Sequence, residues 1–183
     1  PARVLVLYTG GTIGMRTGAR GYEPAPGRLA ESIQRLPQFH DPALPRFTTP
    51  PSSDGRRVQY TIKEYDPLLD SSNMGLEDWA RIATDVETHY ADHDAFVVLH
   101  GTDTMAYTAS ALSFMLENLG QPLIITGAQI PIDQPRTDAV DNLLGALTLA
   151  GQYEIPEVGL FFGHSLLRGN RTQKMDASGF DAA

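Results

Sequence analysis

Four short apolar runs constrain this chain more than anything else in it: Val4–Tyr8, Phe96–Leu99, Leu123–Thr126 and Val158–Phe162. None alternates polar with apolar residues, so each reads as a strand buried on both faces. Helical patterns separate them. Leu76, Trp79, Ala83, Val86 and Tyr90 share one helical face, with Asp78, Arg81, Asp85 and Glu87 on the others. A small-residue helix runs on to Leu119 with Gly120 as its stop, and another spans Thr137 to Ala150. This alternation predicts an α/β fold in three layers: a doubly wound, mostly parallel sheet with helices on both faces. A length of 183 residues with 42% hydrophobic content fits one domain.

The remaining segments are less regular. Val58–Tyr65 alternates as a strand, and Asp70-Ser71-Ser72-Asn73 reads as a polar turn. Leu29, Ile33 and Leu36 mark a short helix closed by Pro37. Met15–Gly27, rich in glycine and proline, is expected to be a surface loop that can act as a lid, and Asp41–Gly55 an irregular excursion. After Phe162 comes a polar stretch with Arg168, Gly169, Asn170, Arg171 and Lys174, for which no closing element is expected, so the chain reads as cut.

With 22 acidic against 14 basic residues, the net charge of -8 opposes attraction to nucleic acid or anionic lipid. There is no cysteine, which excludes disulfides and thiolate chemistry. The start, Pro1-Ala2-Arg3 ahead of the first strand, leaves no room for a signal peptide, and no apolar stretch is long enough to span a bilayer. A soluble, cytoplasmic protein is expected, unless a leader has been removed.

Two turns carry the candidate chemistry. Thr9-Gly10-Gly11-Thr12-Ile13-Gly14 follows the first apolar run and His100-Gly101-Thr102-Asp103-Thr104-Met105 the second. Strand ends of an open α/β sheet present small polar groups to a ligand, so two hydroxyls can face one pocket. A threonine hydroxyl needs a base or proton relay and donors for the oxyanion, and the glycines of the first turn allow close approach to backbone N–H groups. Gly10, Gly11 and Gly14 match neither the dinucleotide nor the phosphate-loop pattern, and a purely structural turn stays open as the alternative.

Asp103 calls for a cation, and Lys174, with Lys63 the only lysines, is the candidate; alternatively Asp103 caps the following helix. Asp70, Ser71 and Ser72 can hold a zwitterion together with Asp103. Tyr22 in the lid can close over a substrate or merely cover apolar surface. His89 and His93, four apart without a third ligand, read as a solvated helix face, so no metal is expected. Met105 and Met115 read as core.

Together these residues resemble the L-asparaginase family, in its cytoplasmic type I branch. Leu7-Tyr8-Thr9-Gly10-Gly11-Thr12-Ile13-Gly14 is similar to its first signature and Leu99-His100-Gly101-Thr102-Asp103-Thr104-Met105 to its second. The likeness continues through Ser113–Leu119, Thr126-Gly127-Ala128-Gln129 and Arg168-Gly169-Asn170-Arg171. The resemblance implies hydrolysis of L-asparagine to L-aspartate and ammonia with no cofactor. It implies Thr12 as the acyl-forming nucleophile assisted by Tyr22, with Gly11 in the substrate-binding turn. Thr102, Asp103 and Lys174 match a second triad that activates water or, in a competing scheme, the attacking hydroxyl. A neighbouring carboxylate favours charged lysine, which gives Lys174 a relay or electrostatic role first. Asp70, Ser71 and Ser72 match the segment holding the substrate's α-groups, and Ala128 a position whose backbone lies near its amide. Asn73 stands where relatives often carry aspartate.

The resemblance also implies a homodimer or homotetramer at full length, and a smaller C-terminal α/β domain that is absent here. Residues 1–183 then correspond to the N-terminal catalytic domain, ending in or before the linker, with an unfinished pocket and low activity if the protein stops there. Two other readings stand beside it: a non-catalytic domain that binds asparagine or aspartate or serves assembly, and the amidohydrolase subunit of a tRNA-dependent amidotransferase. The acidic balance opposes the latter.

Overall fold

The computed structural model describes residues 1–45 and 47–174. β1 (Ala2–Gly10) lies between β4 (Val58–Leu69) and β5 (Ala95–Leu99), all parallel. The sheet continues through β6 (Leu123–Thr126) and β7 (Val158–Phe162), also parallel, to an antiparallel β8 (Ser165–Arg168). Its spatial order is β4-β1-β5-β6-β7-β8. A separate hairpin pairs β2 (Arg16–Gly18) with β3 (Gly21–Glu23).

The uniformly apolar strands are explained by where successive side chains go. Val4, Val6 and Tyr8 enter one core with Leu29 and Ile33 of α1 (Arg28–Gln34) and Leu143, Ala146 and Leu147 of α4 (Ala139–Gln152). Leu5 and Leu7 point the other way, joining Ile82 and Val86 of α2 (Leu76–His89) and Met105, Ala109 and Leu112 of α3 (Met105–Met115). Both faces are dry, so alternation along a strand selects which core a residue enters. Each fully buried aliphatic chain contributes about 1.5–3 kcal/mol, which favours this register over any one-residue slip only through shape and volume. The expected α/β sandwich is therefore present.

Details differ from expectation. The lid segment is not all loop, because residues 16–23 form the β2–β3 hairpin. β4 runs four residues past Tyr65, to Leu69. α3 stops at Met115 rather than Leu119, and the chain turns away through Asn118 at φ 55. Met115 is 42% exposed and so is not core, whereas Met105 is buried. The stretch after Phe162 does contain an element: β8 closes the sheet edge against β7.

Because β1 leads to β4 on one side and β5 begins the succession on the other, the sheet switches direction between β1 and β5. Connections leave opposite ways there, and a crevice opens at the carboxyl ends of the two strands. Gly11, at φ 92, sits so close to the next turn that a Cβ would stand 2.6 Å from Gly101 N and 2.7 Å from its Cα. Gly11→Ala should therefore lose at least about 2 kcal/mol, through a positive φ plus a backbone collision. Gly21→Ala, also at positive φ but with open space around it, should lose only about 1 kcal/mol. Urea unfolding checks the pair, and equal losses would show that the turns are not in contact.

Candidate active site

Four segments meet at the carboxyl edge of the sheet. The Thr9 hydroxyl donates to Leu99 O at 2.8 Å, pinning the end of β1 to the end of β5. Thr12 then opens a single 3-10 turn, Thr12–Gly14, whose first carbonyl accepts from Met15 N–H at 3.0 Å. Behind it, Ile13 O accepts from Ile132 N–H at 3.0 Å. The second turn follows β5 directly, and a Cβ on its Gly101 would stand 2.7 Å from Ser71 Cβ. Gly101 thus lies between Gly11 and Ser71.

Ser71 belongs to the third segment. Asp70 caps the short 3-10 turn Ser71–Asn73, accepting from Ser72 N–H at 3.0 Å. Thr104 ties this turn to the second by donating to Ser71 O at 2.7 Å. Ser71 is buried, while Asp70 and Ser72 are exposed. The fourth segment follows β6: Thr102 donates to Gln129 Oε1 at 3.1 Å, and Ala128 is buried beside it. Thr9, Thr102 and Thr104 are all engaged in these bonds, and none of those bonds involves the half-buried Thr12.

Lys174 donates to Asp103 Oδ1 at 2.8 Å, with the lysine side chain 19% exposed and the carboxylate 65%. The pairing expected from charge is present, and the capping alternative falls: α3 has Thr104 as its N-cap, with no side-chain capping bond. Tyr22 stands apart from the rest. It lies on β3 opposite Thr17, 45% exposed, on a hairpin tethered by Gln134 Nε2 to Thr17 Oγ1 at 3.4 Å. Arg28 paired to Asp133 at 2.9 Å and Gly27 N–H on Glu64 at 2.8 Å hold the hairpin's return. His89 and His93 each face the carbonyl four residues back, at 2.8 and 3.1 Å, and no group of three metal-ligating side chains occurs among the described residues.

The support of the second turn was not evident from sequence. His100 is fully buried with Nδ1 2.7 Å from Gly101 O, which makes Nδ1 the protonated nitrogen and Nε2 an acceptor. Thr108 accordingly donates to Nε2 at 2.7 Å and accepts from Trp79 Nε1–H at 2.9 Å. Every donor in this chain runs one way, from α2 through α3 to the turn. Only the apolar flank of His100 hinted at burial; the partners are distant in sequence.

A doubly wound α/β domain with threonine-bearing glycine turns on both sides of its switch point is the class that fold and site define. The Asparaginase, N-terminal family model matches residues 3–183, and the chain belongs to that family. L-asparaginase 1 of Escherichia coli (strain K12) is 55% identical over 179 residues, covering 98% of this chain and 49% of that protein. The 60 kDa lysophospholipase of Mus musculus is 53% identical over 189 residues, covering 98% of this chain and 33% of that one. The solved structure of L-asparaginase I from Vibrio cholerae O1 biovar eltor str. N16961 matches with a TM-score of 0.83 at 47% identity, covering 100% of this chain and 50% of its own. The chain thus spans half the length, or less, of these relatives.

Burial pushes the His100 imidazole down from 6.5 to about 4, outweighing the bond to Gly101 O that favours its charge. The folded protein keeps His100 neutral between those values while the unfolded chain takes up a proton. Its contribution to stability is complete above pH 6.5 and is lost as the pH falls through about 4. His100→Gln should therefore show a shallower fall in urea midpoint from pH 7 to pH 5 than the parent. Matching slopes in the two proteins would mean that His100 takes up its proton over the same pH range in the fold as in the unfolded chain.

Proposed function

We propose that this chain is the N-terminal, catalytic domain of an L-asparaginase, hydrolysing L-asparagine to L-aspartate and ammonia through a threonyl ester. The observation that carries this reading is the backbone contact of Gly11 with Gly101, which sets Thr12 and Thr102 on facing turns at one switch point. Membership of the asparaginase family and the names of the relatives support the reaction class.

Thr12 Oγ attacks the side-chain carboxamide carbon, and the glycine turn offers N–H groups to the oxyanion. The C–N bond breaks as nitrogen takes a proton and leaves as ammonia. Water then attacks the ester, releasing aspartate and restoring Thr12. Thr102, Asp103 and Lys174 move protons and hold the substrate ammonium, for which the exposed Asp103 carboxylate is available. Gly11, Asp70, Ser71 and Ser72 receive the α-groups, with Ala128 beside the amide. Tyr22 serves only after the hairpin carries it inward, since it is exposed at rest. As a stabiliser, an ion pair with one such exposed partner is worth about 0–1 kcal/mol, so the Asp103–Lys174 contact is better accounted for by chemistry than by folding.

The reading requires no cofactor. It includes a cytoplasmic location and a homodimer or homotetramer in the complete protein, and no helix among the described residues is long and apolar enough to cross a membrane. Ammonia release from L-asparagine by the complete protein is the test. Thr12→Ala should lower kcat by about a thousandfold or more while leaving aspartate binding measurable by calorimetry. Binding without turnover in the parent would establish the non-catalytic alternative instead.

A further inference from the structure

The segment after β6 is held with unusual thoroughness. Asp138 accepts from Gln129 N–H at 2.9 Å and from Ile130 N–H at 3.0 Å. Asn142, 3% exposed, donates to Gly127 O at 3.0 Å and accepts from Gly163 N–H at 3.2 Å. Thr137 donates to Ile130 O at 2.8 Å. None of these bonds goes to Ala128, the one residue of the four that they leave unheld. Asp138 is also the N-cap residue of α4, yet its carboxylate makes no capping bond and turns back to the preceding loop. A cap of this kind ordinarily contributes about 1 kcal/mol to its helix. Here that role is passed to Thr137, whose hydroxyl accepts from Ala139 N–H at 2.9 Å.

We propose that Asp138 and Asn142 are positioning residues for the departure of ammonia, clamping residues 127–130 so that Ala128 presents a fixed peptide group to the substrate's side-chain amide. The inference rests on the asparaginase reading above. The clamped segment borders the site on two sides: Gln129 accepts from Thr102, and Gly127 lies so close to His100 O that no Cβ fits between them. A carboxamide nitrogen carries two N–H groups, and a peptide carbonyl that accepts one of them fixes its rotation. As the C–N bond lengthens, that nitrogen becomes pyramidal and must turn its lone pair to an incoming proton. A loose carbonyl loses this orientation; the alkoxy oxygen of an ester has no N–H for it to hold.

The experiment compares L-asparagine with L-aspartate β-methyl ester on the complete protein. Asn142→Asp keeps size and the acceptor for Gly163 N–H but loses the donor to Gly127 O; Asp138→Asn keeps shape and loses one acceptor. For each variant kcat for L-asparagine should fall by about thirtyfold with little change in KM, while kcat for the ester falls no more than about threefold. Asp138→Glu, which restores the carboxylate, should recover part of the amide loss. Equal losses on both substrates, or no loss on either, would overturn the proposal, and near-normal ester turnover also certifies that a variant is folded. Should Asn142→Asp fail to fold, the Asp138 pair decides alone. A parent that cleaves neither compound overturns the asparaginase reading and this one with it; a parent that cleaves both, with variants showing no amide preference, overturns this one alone.

Discussion

Everything at the carboxyl edge of this sheet depends on two peptide chains touching without side chains between them. Gly11 meets the Gly101 backbone, and Gly101 in turn meets Ser71. A Cβ at either position would collide with the facing segment and force the two apart. The contact also explains why the glycines follow the strands at once: β1 and β5 are neighbours in full register up to Tyr8 and Leu99, so their turns begin side by side. Thr9, bonded across to Leu99 O, fixes the distance at which they start.

On that base the site divides into a held floor and an open roof. The floor is tied by directed, buried polar bonds: Trp79 to Thr108 to His100 to Gly101 O beneath the second turn, and Asp138 with Asn142 beneath the Gly127–Ile130 segment. In a low-dielectric interior such chains are costly if incomplete and stiff if satisfied. A neutral His100 suits the arrangement, because a second ring proton would oppose the hydroxyl hydrogen that Thr108 presents to it. The roof, by contrast, is the β2–β3 hairpin, with Tyr22 exposed and its tethers placed at Thr17, opposite Tyr22, and on the return at Gly27. Under the proposed reaction, groups preorganised for developing charge belong to the floor and the segment that admits substrate to the roof.

The strands and both glycine turns were legible in the sequence, because uninterrupted apolar runs and abrupt glycines are local signals. The sandwich followed from them. What lay beyond reach was long-range or marginal. Trp79 and Thr108 are ordinary amphipathic-helix residues until folding brings them 2.9 Å apart. Asp138 stands at the N-cap of α4, where a carboxylate ordinarily caps its helix, and only the fold shows it turned to the preceding loop. Asp103 was open to the same capping reading and was equally turned elsewhere, since helix α3 starts one residue later than its carboxylate would need. β8 offers only Leu166 and Leu167 as apolar residues in four, which is too short a pattern to outweigh its polar neighbours.

That missed strand is nonetheless what delivers Lys174. β7 ends at the carboxyl edge, where the site is; β8 turns back antiparallel, carrying the chain to the opposite edge, where Gly169 packs against Val158 O and Ser113 Oγ. Ser113 lies near the end of α3, whose first residue Met105 follows the second turn. Gly169–Arg171 form a single 3-10 turn packed against α3, and Thr172 leads on from it in extended conformation. The chain returns past α3 through this turn, and Lys174 meets Asp103, two residues before that helix begins. A continued parallel succession after β7 would need a crossover of a dozen or more residues before turning back. The antiparallel β7–β8 hairpin instead brings Lys174 to Asp103, at the edge where the glycine turns lie, within twelve residues of Phe162.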